Sequence, residues 1–261
     1  MSLYICLLVA SDAMKSNCSV EAAMSAPPDQ KGRLALVLDD DVDVDVMLKA
    51  PRAVPCTPGE QVTPNTLAAT WSSLCTVTNV FEFYSHKNEK AGDSACFSNF
   101  FIQAPYEFII PLDFCAMDLT EEQRSVECTF SEKAIMVCKA ASMGDKDSFL
   151  AIAKSAEPKS CKALGRKVQN WNQAVWDKIV CSVAYHVVYQ KFAKNDEIQK
   201  HLLATGNALM VEATVNDSNW GIGIDMGMPD VTIPSKWNGY NILGWALTEV
   251  RKTLRMDKGT S

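Results

Sequence analysis

The chain has 261 residues, 48% of them apolar and 21% charged, with a net charge of −6 at neutral pH. That length holds one substantial domain with extensions, or two small ones. The acidic balance argues against a generally basic nucleic-acid binder and leaves room only for a local basic site.

The opening run SLYICLLVA is apolar but short. No basic residues precede it and Asp12 follows closely, so it does not read as a signal peptide. No stretch of the chain approaches the roughly 18 apolar residues of a membrane span. Residues 1–79 read as an N-terminal extension. SAPPDQKG and APRAVPCTPGEQVTPNT have linker composition. Between them LALVLDDDVDVDVMLKA alternates Val and Asp from residue 41, which predicts a strand with one acidic face. A D-x-D-x-D run can also hold a cation, but nothing nearby completes a coordination shell.

From residue 80 the patterns sharpen, and 80–261 reads as one folded domain. VFEFY (80–84) and EFIIPLDF suggest short strands around a polar loop that ends in ACFSNF. SEKAIMVCK (131–139) reads as a helix, with Thr129 and Glu132 in the T-x-x-E spacing of a capping box. DSFLAIAKSAEPKSCKALGRKV predicts two helices around Pro158. NQAVWDKIVCSVAYHVVYQKFAK carries apolar residues at intervals of three and four, the signature of a packed helix. EIQKHLLATG is a helix stopped by Gly206, LMVEATV a strand, NDSNWGIGIDMGMPD a turn-rich loop, and NILGWALTEVRKTLR a closing helix. Mostly helix, with a few strands and no regular β-α alternation, this is an α+β protein: a mainly helical domain with a small sheet.

Ten cysteines and three histidines include no C-x-x-C pair and no zinc spacing. Cys138 and Cys181 fall inside apolar helical patterns, where Cys acts as a small hydrophobe, so the thiols read as free and the compartment as reducing, cytoplasm or nucleus. No G-x-G-x-x-G, P-loop, G-x-S-x-G or H-E-x-x-H occurs. What stands out is polar residues in apolar places. Glu132 and Lys139 lie two turns apart on one helix face, with Ile135 and Met136 between them. Glu212 interrupts an apolar strand.

Read in order, FEFY…ACFSNF, SEKAIMVCK, ALGR, WNQAVWDKIV…YQKF, LLATGNALMVEATVNDSNWGIGI and GYNILGWALTEVRKTL resemble the NADAR domain, or YbiA-like, family over residues 80 to 255. The resemblance implies an N-glycosidase that needs no metal or other cofactor. It implies two substrate classes, both with a ribose C1′–nitrogen bond. One is ADP-ribose on guanine of nucleic acid. The other is a pair of phosphoribosylamino-pyrimidine intermediates of riboflavin synthesis. A catalytically inactive nucleotide-binding module is the third reading. The family helix usually reads E-H-Y-F-Q-A-x-K, and here Lys133 and Met136 replace the His and Gln.

Breaking a ribose–nitrogen bond builds positive charge on C1′ and O4′, which a carboxylate stabilises. By the resemblance that carboxylate is Glu132, whose plainer role is the capping box. Lys139 binds a phosphate or attacks C1′ to form a Schiff base; its plainer role is to snorkel at the helix edge. Asp217 holds a ribose hydroxyl or positions water, or simply makes an Asx-turn. Trp171, Trp220 and Phe97 offer flat faces to a base, against a plainer role in core packing. Asn99 reads a base or sugar edge, and Arg166 with Lys167 takes a phosphate. Glu212 and Asn241 support the site from behind. Gly221 and Gly223 let the backbone approach the substrate or make turns. Lys154, Lys159, Lys162, Arg166 and Lys167 form a basic rim suited to nucleic acid.

Overall fold

A computed structural model describes residues 61–259. The acidic Val/Asp alternation and the opening apolar run lie outside these residues. Among the described residues the long elements are helices: α1 (Pro64–Ser73), α2 (Ser131–Ser142), α3 (Lys146–Lys154), α4 (Pro158–Gly165), α5 (Gln173–Ala193), α6 (Asp196–Ala204) and α7 (Ile242–Gly259). The strands are β1 (Val80–Phe83), β2 (Tyr106–Ile109), β3 (Ser125–Cys128) and β4 (Leu209–Glu212). β1 pairs in parallel with β4, Phe83 opposite Glu212, while β2 pairs antiparallel with β3. The α+β reading holds, with the strands split into two small ribbons rather than one sheet.

Helix α5 organises the interior. It is apolar on nearly every side, as a helix must be when neighbours cover it all round. Cys181, Ala184, Tyr185, Val188 and Phe192 pack into a first hydrophobic cluster with β1, β4, α1 and α7. Val183 and Val187 pack into a second with β2, β3 and α2. Trp176 and Trp220 touch both clusters and mark the seam between them.

In the first cluster α7 lies directly on β4. A Cβ on Gly244 would stand 2.1 Å from the Met210 carbonyl oxygen, so only glycine allows this approach. Two sequence expectations change here. The linker reading runs through residue 79, yet TPNT starts a helix. Thr63 is its N-cap, joined to Thr66 in a reciprocal capping box, and Pro64 stands in the first turn, where its missing N–H costs nothing. Leu67 and Trp71 of α1 are buried in the first cluster. The capping box expected at Thr129 and Glu132 does not form. The chain comes off β3 extended through Phe130, which is buried and is itself the N-cap, without a side-chain hydrogen bond. The Glu132 amide donates instead to the Asn99 carbonyl at 2.9 Å. The Glu132 carboxyl is therefore not needed to cap its own helix.

Candidate active site

Four pieces of chain converge at the seam: α2, α4, the end of β4 and the loop that follows it. Helix α2 presents Glu132, Ile135, Met136 and Lys139 along one stripe. Ile135 is buried, and Met136 leans on α4, where the missing side chain of Gly165 makes room; a Cβ there would stand 2.0 Å from the Met136 sulfur. Met136, one of the two departures from the family pattern, is thus seated against a glycine. Lys133, the other, turns aside and donates to the Glu127 carbonyl at 3.2 Å.

Glu132 is 4% exposed. Burial pushes its carboxyl up to about 7, with Asp217 pushing the same way and Lys162, Lys139 and Arg166 opposing. The same groups are therefore its electrostatic neighbours. Lys139 is half-buried, and burial together with Arg166 lowers its proton affinity while Glu132 raises it. Its Nζ stands 4.1 Å from the centre of the Trp171 ring, a cation–π contact. Trp171 is 41% exposed and leans on Trp176, so one of its faces is occupied by the lysine and much of the ring remains open.

Asp217 performs two tasks at once. Oδ1 accepts the amides of Asn219 and Trp220 at 3.1 and 3.0 Å, which is the Asx-turn. Oδ2 faces the Lys162 ammonium at 3.7 Å, so the turn aims the second oxygen into the site. Glu212, at the end of β4, joins this group. Burial pushes its carboxyl up to about 8; Asp217 and Glu132 add to the rise and Lys162 opposes it. Its Oε2 is buried without a hydrogen-bond partner.

Other residues act through the backbone. The Asn241 side chain is fully buried, accepts the Glu212 amide at 3.2 Å and donates to the Met210 carbonyl at 3.0 Å. It has φ +52, left-handed backbone that asparagine tolerates. A Cβ on Gly221 would stand 2.6 Å from the Glu212 carbonyl oxygen, so this glycine lets the loop close onto the strand. Asn99 enters through its carbonyl on Glu132, and its side chain is 8% exposed. Phe97 does not join them. It is 2% exposed and packed edge-on against Phe81 and Phe83, so its ring presents no open face to a base.

The structure thus brings together Glu132, Lys139, Asp217, Arg166, Trp171 and Trp220 in one place, with Asn99, Gly221 and Asn241 behind them. Lys162 was legible only as one charge of a basic rim. Its spacing from Lys159 and Arg166, three and four residues, places all three on one face of α4 and its end. Lys154 leaves that rim and lines a separate cleft beside Leu150 and Lys133. Among the described residues no group of three or more His, Cys, Asp or Glu is arranged to hold a metal ion. A cation, Lys162, stands among the three carboxylates instead. The seven described cysteines are free thiols, and no described helix is long and apolar enough to cross a membrane.

The family model described as NADAR domain matches residues 82–255. N-glycosidase R617 of Acanthamoeba polyphaga mimivirus is 31% identical over 176 residues, 67% of this chain and 96% of that protein. Protein irg-1 of Caenorhabditis elegans is 32% identical over 62% of this chain and 77% of its own length. The solution structure of Escherichia coli YbiA superposes with a TM-score of 0.51, covering 69% of this chain and 87% of that one at 24% identity, a likeness of fold.

Proposed function

The chain belongs to the NADAR domain family, and from that premise we propose that it is an N-glycosidase whose substrate is ADP-ribose attached to guanine in nucleic acid. The observation that carries the reading is a buried carboxyl, Glu132, two helical turns from a half-buried amine whose ammonium lies on an exposed indole face. Relatives of this chain bear the name N-glycosidase. Such a hydrolase needs a carboxylate beside C1′, a group that reaches the leaving nitrogen, and surfaces for the base and phosphates.

The side chains meet these needs as follows. Glu132, once ionised, faces the cationic C1′–O4′ unit of the transition state. It is poised near neutrality by burial rather than by a partner, so it ionises with little loss of basicity. Lys139, with lowered proton affinity, supplies either a charge for the ribose phosphate or a free amine for C1′. The open face of Trp171 takes the base. Lys159, Lys162 and Arg166 on one face of α4 suit a pyrophosphate, the group that distinguishes ADP-ribose from a ribosyl monophosphate. Asp217, already held by its turn, offers Oδ2 to a ribose hydroxyl.

The test is a time course with an oligonucleotide carrying ADP-ribosylated guanine, wild type against Glu132→Gln. Release of free ADP-ribose by the wild type alone supports the reading. No release from folded protein, with turnover of phosphoribosylamino-pyrimidines instead, moves the substrate to the small intermediates. Tight binding without turnover of either leaves a binding module.

A further inference from the structure

We propose that Glu212 is the acid that protonates the departing nitrogen, leaving Glu132 as the carboxylate that faces C1′. The inference rests on the N-glycosidase reading and assigns a residue that the family pattern around Glu132 and Lys139 does not supply.

Position is the first argument. Glu212 is the last residue of β4, and its backbone is clamped on both sides. Its amide is held by the Asn241 side chain, and its carbonyl accepts the Ile222 amide at 3.0 Å. Gly221 presses against the same carbonyl. This fixes the root of the side chain, whose charged neighbours are Asp217, Lys162 and Glu132.

The second argument is an unmet hydrogen bond. Oε2 of Glu212 is buried and bonds to nothing, although part of the residue remains open to solvent. An orphaned buried oxygen destabilises the fold, because it has given up water without gaining a partner. Strand β4 is otherwise apolar, and an alanine or valine there would avoid the cost. A carboxyl kept in such a place, partly open to solvent, is explained by a group that enters and bonds to it.

Charge is the third. The charged groups that face Glu212 are Asp217 from the loop after β4, Lys162 from α4 and Glu132 from α2. With Glu212 that makes three carboxyls around one ammonium, and like charges this close disfavour full ionisation of the buried ones. Burial pushes both carboxyls up, Glu132 to about 7 and Glu212 to about 8, so the pair holds a shared proton near neutrality. Glu212, whose Oε2 is enclosed and unbonded, is the member placed to give that proton to an entering group.

The step balances. The C1′–N bond breaks with its electron pair on nitrogen, and the nitrogen takes the Glu212 proton and leaves as a primary amine. Water adds to the cationic C1′ opposite Glu132 and gives up one proton, which returns to the carboxylate pair. One water is consumed, and one amine and one ribose hydroxyl are formed.

The experiment compares wild type, Glu212→Gln and Glu212→Asp on two substrates. One carries a guanine amine as leaving group, the other a nitrophenolate on the same ADP-ribosyl group, which departs without a proton. Glu212→Gln is expected to slow the amine substrate by about 10²–10⁴-fold in kcat with KM nearly unchanged, and to abolish the fall of kcat/KM above about pH 8. On the nitrophenolate it is expected to stay within about tenfold of wild type. Glu212→Asp keeps a carboxyl and is expected to retain the alkaline fall, while thermal melting checks that both variants fold. Equal losses on both leaving groups, or an amine rate unchanged by Glu212→Gln, would overturn the proposal. In that case a surviving loss in Glu132→Gln leaves the N-glycosidase reading intact. A folded wild type that cleaves neither substrate overturns both.

Discussion

The two sides of β4 bury polar groups to opposite ends. Inside the first cluster several such groups are spent on the backbone. Asn241 bridges Met210 and Glu212, Thr248 takes the Met210 amide, and Lys191, 1% exposed, donates to the Ser98 carbonyl at 3.0 Å. At the seam Glu132 is buried almost as deeply and Glu212 is partly buried with its Oε2 enclosed, but their carboxyls are not consumed in holding a strand. Desolvation then moves their titration into the neutral range, where a proton can be gained and lost at little cost. Burial does the same thing physically in both places. Whether it builds structure or chemistry depends on whether the buried group already has a partner.

The comparison is broken most directly at Glu132. Glu132→Gln should lower turnover by about 10²–10⁴-fold while making the protein more stable at neutral pH. The sign follows from linkage. A carboxyl whose folded value is raised from 4.5 to about 7 binds its proton more tightly folded than unfolded, so its favourable contribution is present below 4.5 and is lost as pH rises to about 7. The cost of carrying the ionised group above pH 7 is on the order of 3 kcal/mol, and the glutamine variant avoids it. Urea unfolding at pH 5 and pH 8 checks this. A stability gap between variant and wild type that does not widen with pH would make Glu132 a structural residue.

Asn241 is the counterpart on the structural side. Asn241→Ala removes the partners of the Glu212 amide and the Met210 carbonyl and places alanine at φ +52. The expected loss is about 2–4 kcal/mol of unfolding free energy. Asn241→Gly should recover about 1 kcal/mol of it by relieving the left-handed backbone. A melting temperature unchanged in Asn241→Ala would mean that β4 is not held from α7.

How far this division could be read in the sequence depends on distance along the chain. Helix α5 and the pairing of Glu132 with Lys139 are local periodicities, visible without a fold. Helix α1 was hidden because prolines were weighed as linker composition, although Thr63 and Pro64 are a helix start when read one by one. The T-x-x-E at Thr129 misled in the opposite sense. The spacing was right, but a distant carbonyl, Asn99, took the amide first. The same blindness covers Lys162 with Asp217, and Phe97, whose aromatic neighbours lie on β1 and α5. Which polar groups find partners is decided by contacts between elements, which local spacing does not show.

Trp171 sharpens the comparison with a smaller effect. Its ring is 41% exposed and touches Lys139 and Trp176. Trp171→Ala is expected to weaken substrate binding by about 1–3 kcal/mol, the worth of one base stacked on an aromatic face, and to leave the melting temperature nearly unchanged. A binding isotherm set beside a melting curve separates these. A large drop in stability with binding intact would return Trp171 to the core.

The smallest effect comes where site and core share a surface, at Met136 and Gly165. A Cβ at residue 165 would stand 2.0 Å from the Met136 sulfur, so Gly165→Ala forces a move. The obstruction is the far end of a flexible thioether, not backbone, so the cost should lie near the low end of overpacking, about 1 kcal/mol. The relief, however, has a direction. Met136 shares its stripe with Glu132 and Lys139, and a displaced sulfur intrudes between them. Gly165→Ala should therefore lower kcat/KM by more than its effect on stability suggests. Met136→Ala should abolish both effects of a subsequent Gly165→Ala, because the atom in the way is gone. A double-mutant cycle run on stability and on kcat/KM measures the coupling. Strict additivity in both would show that α4 and the stripe of α2 do not press on one another, and that the floor of the site is set elsewhere.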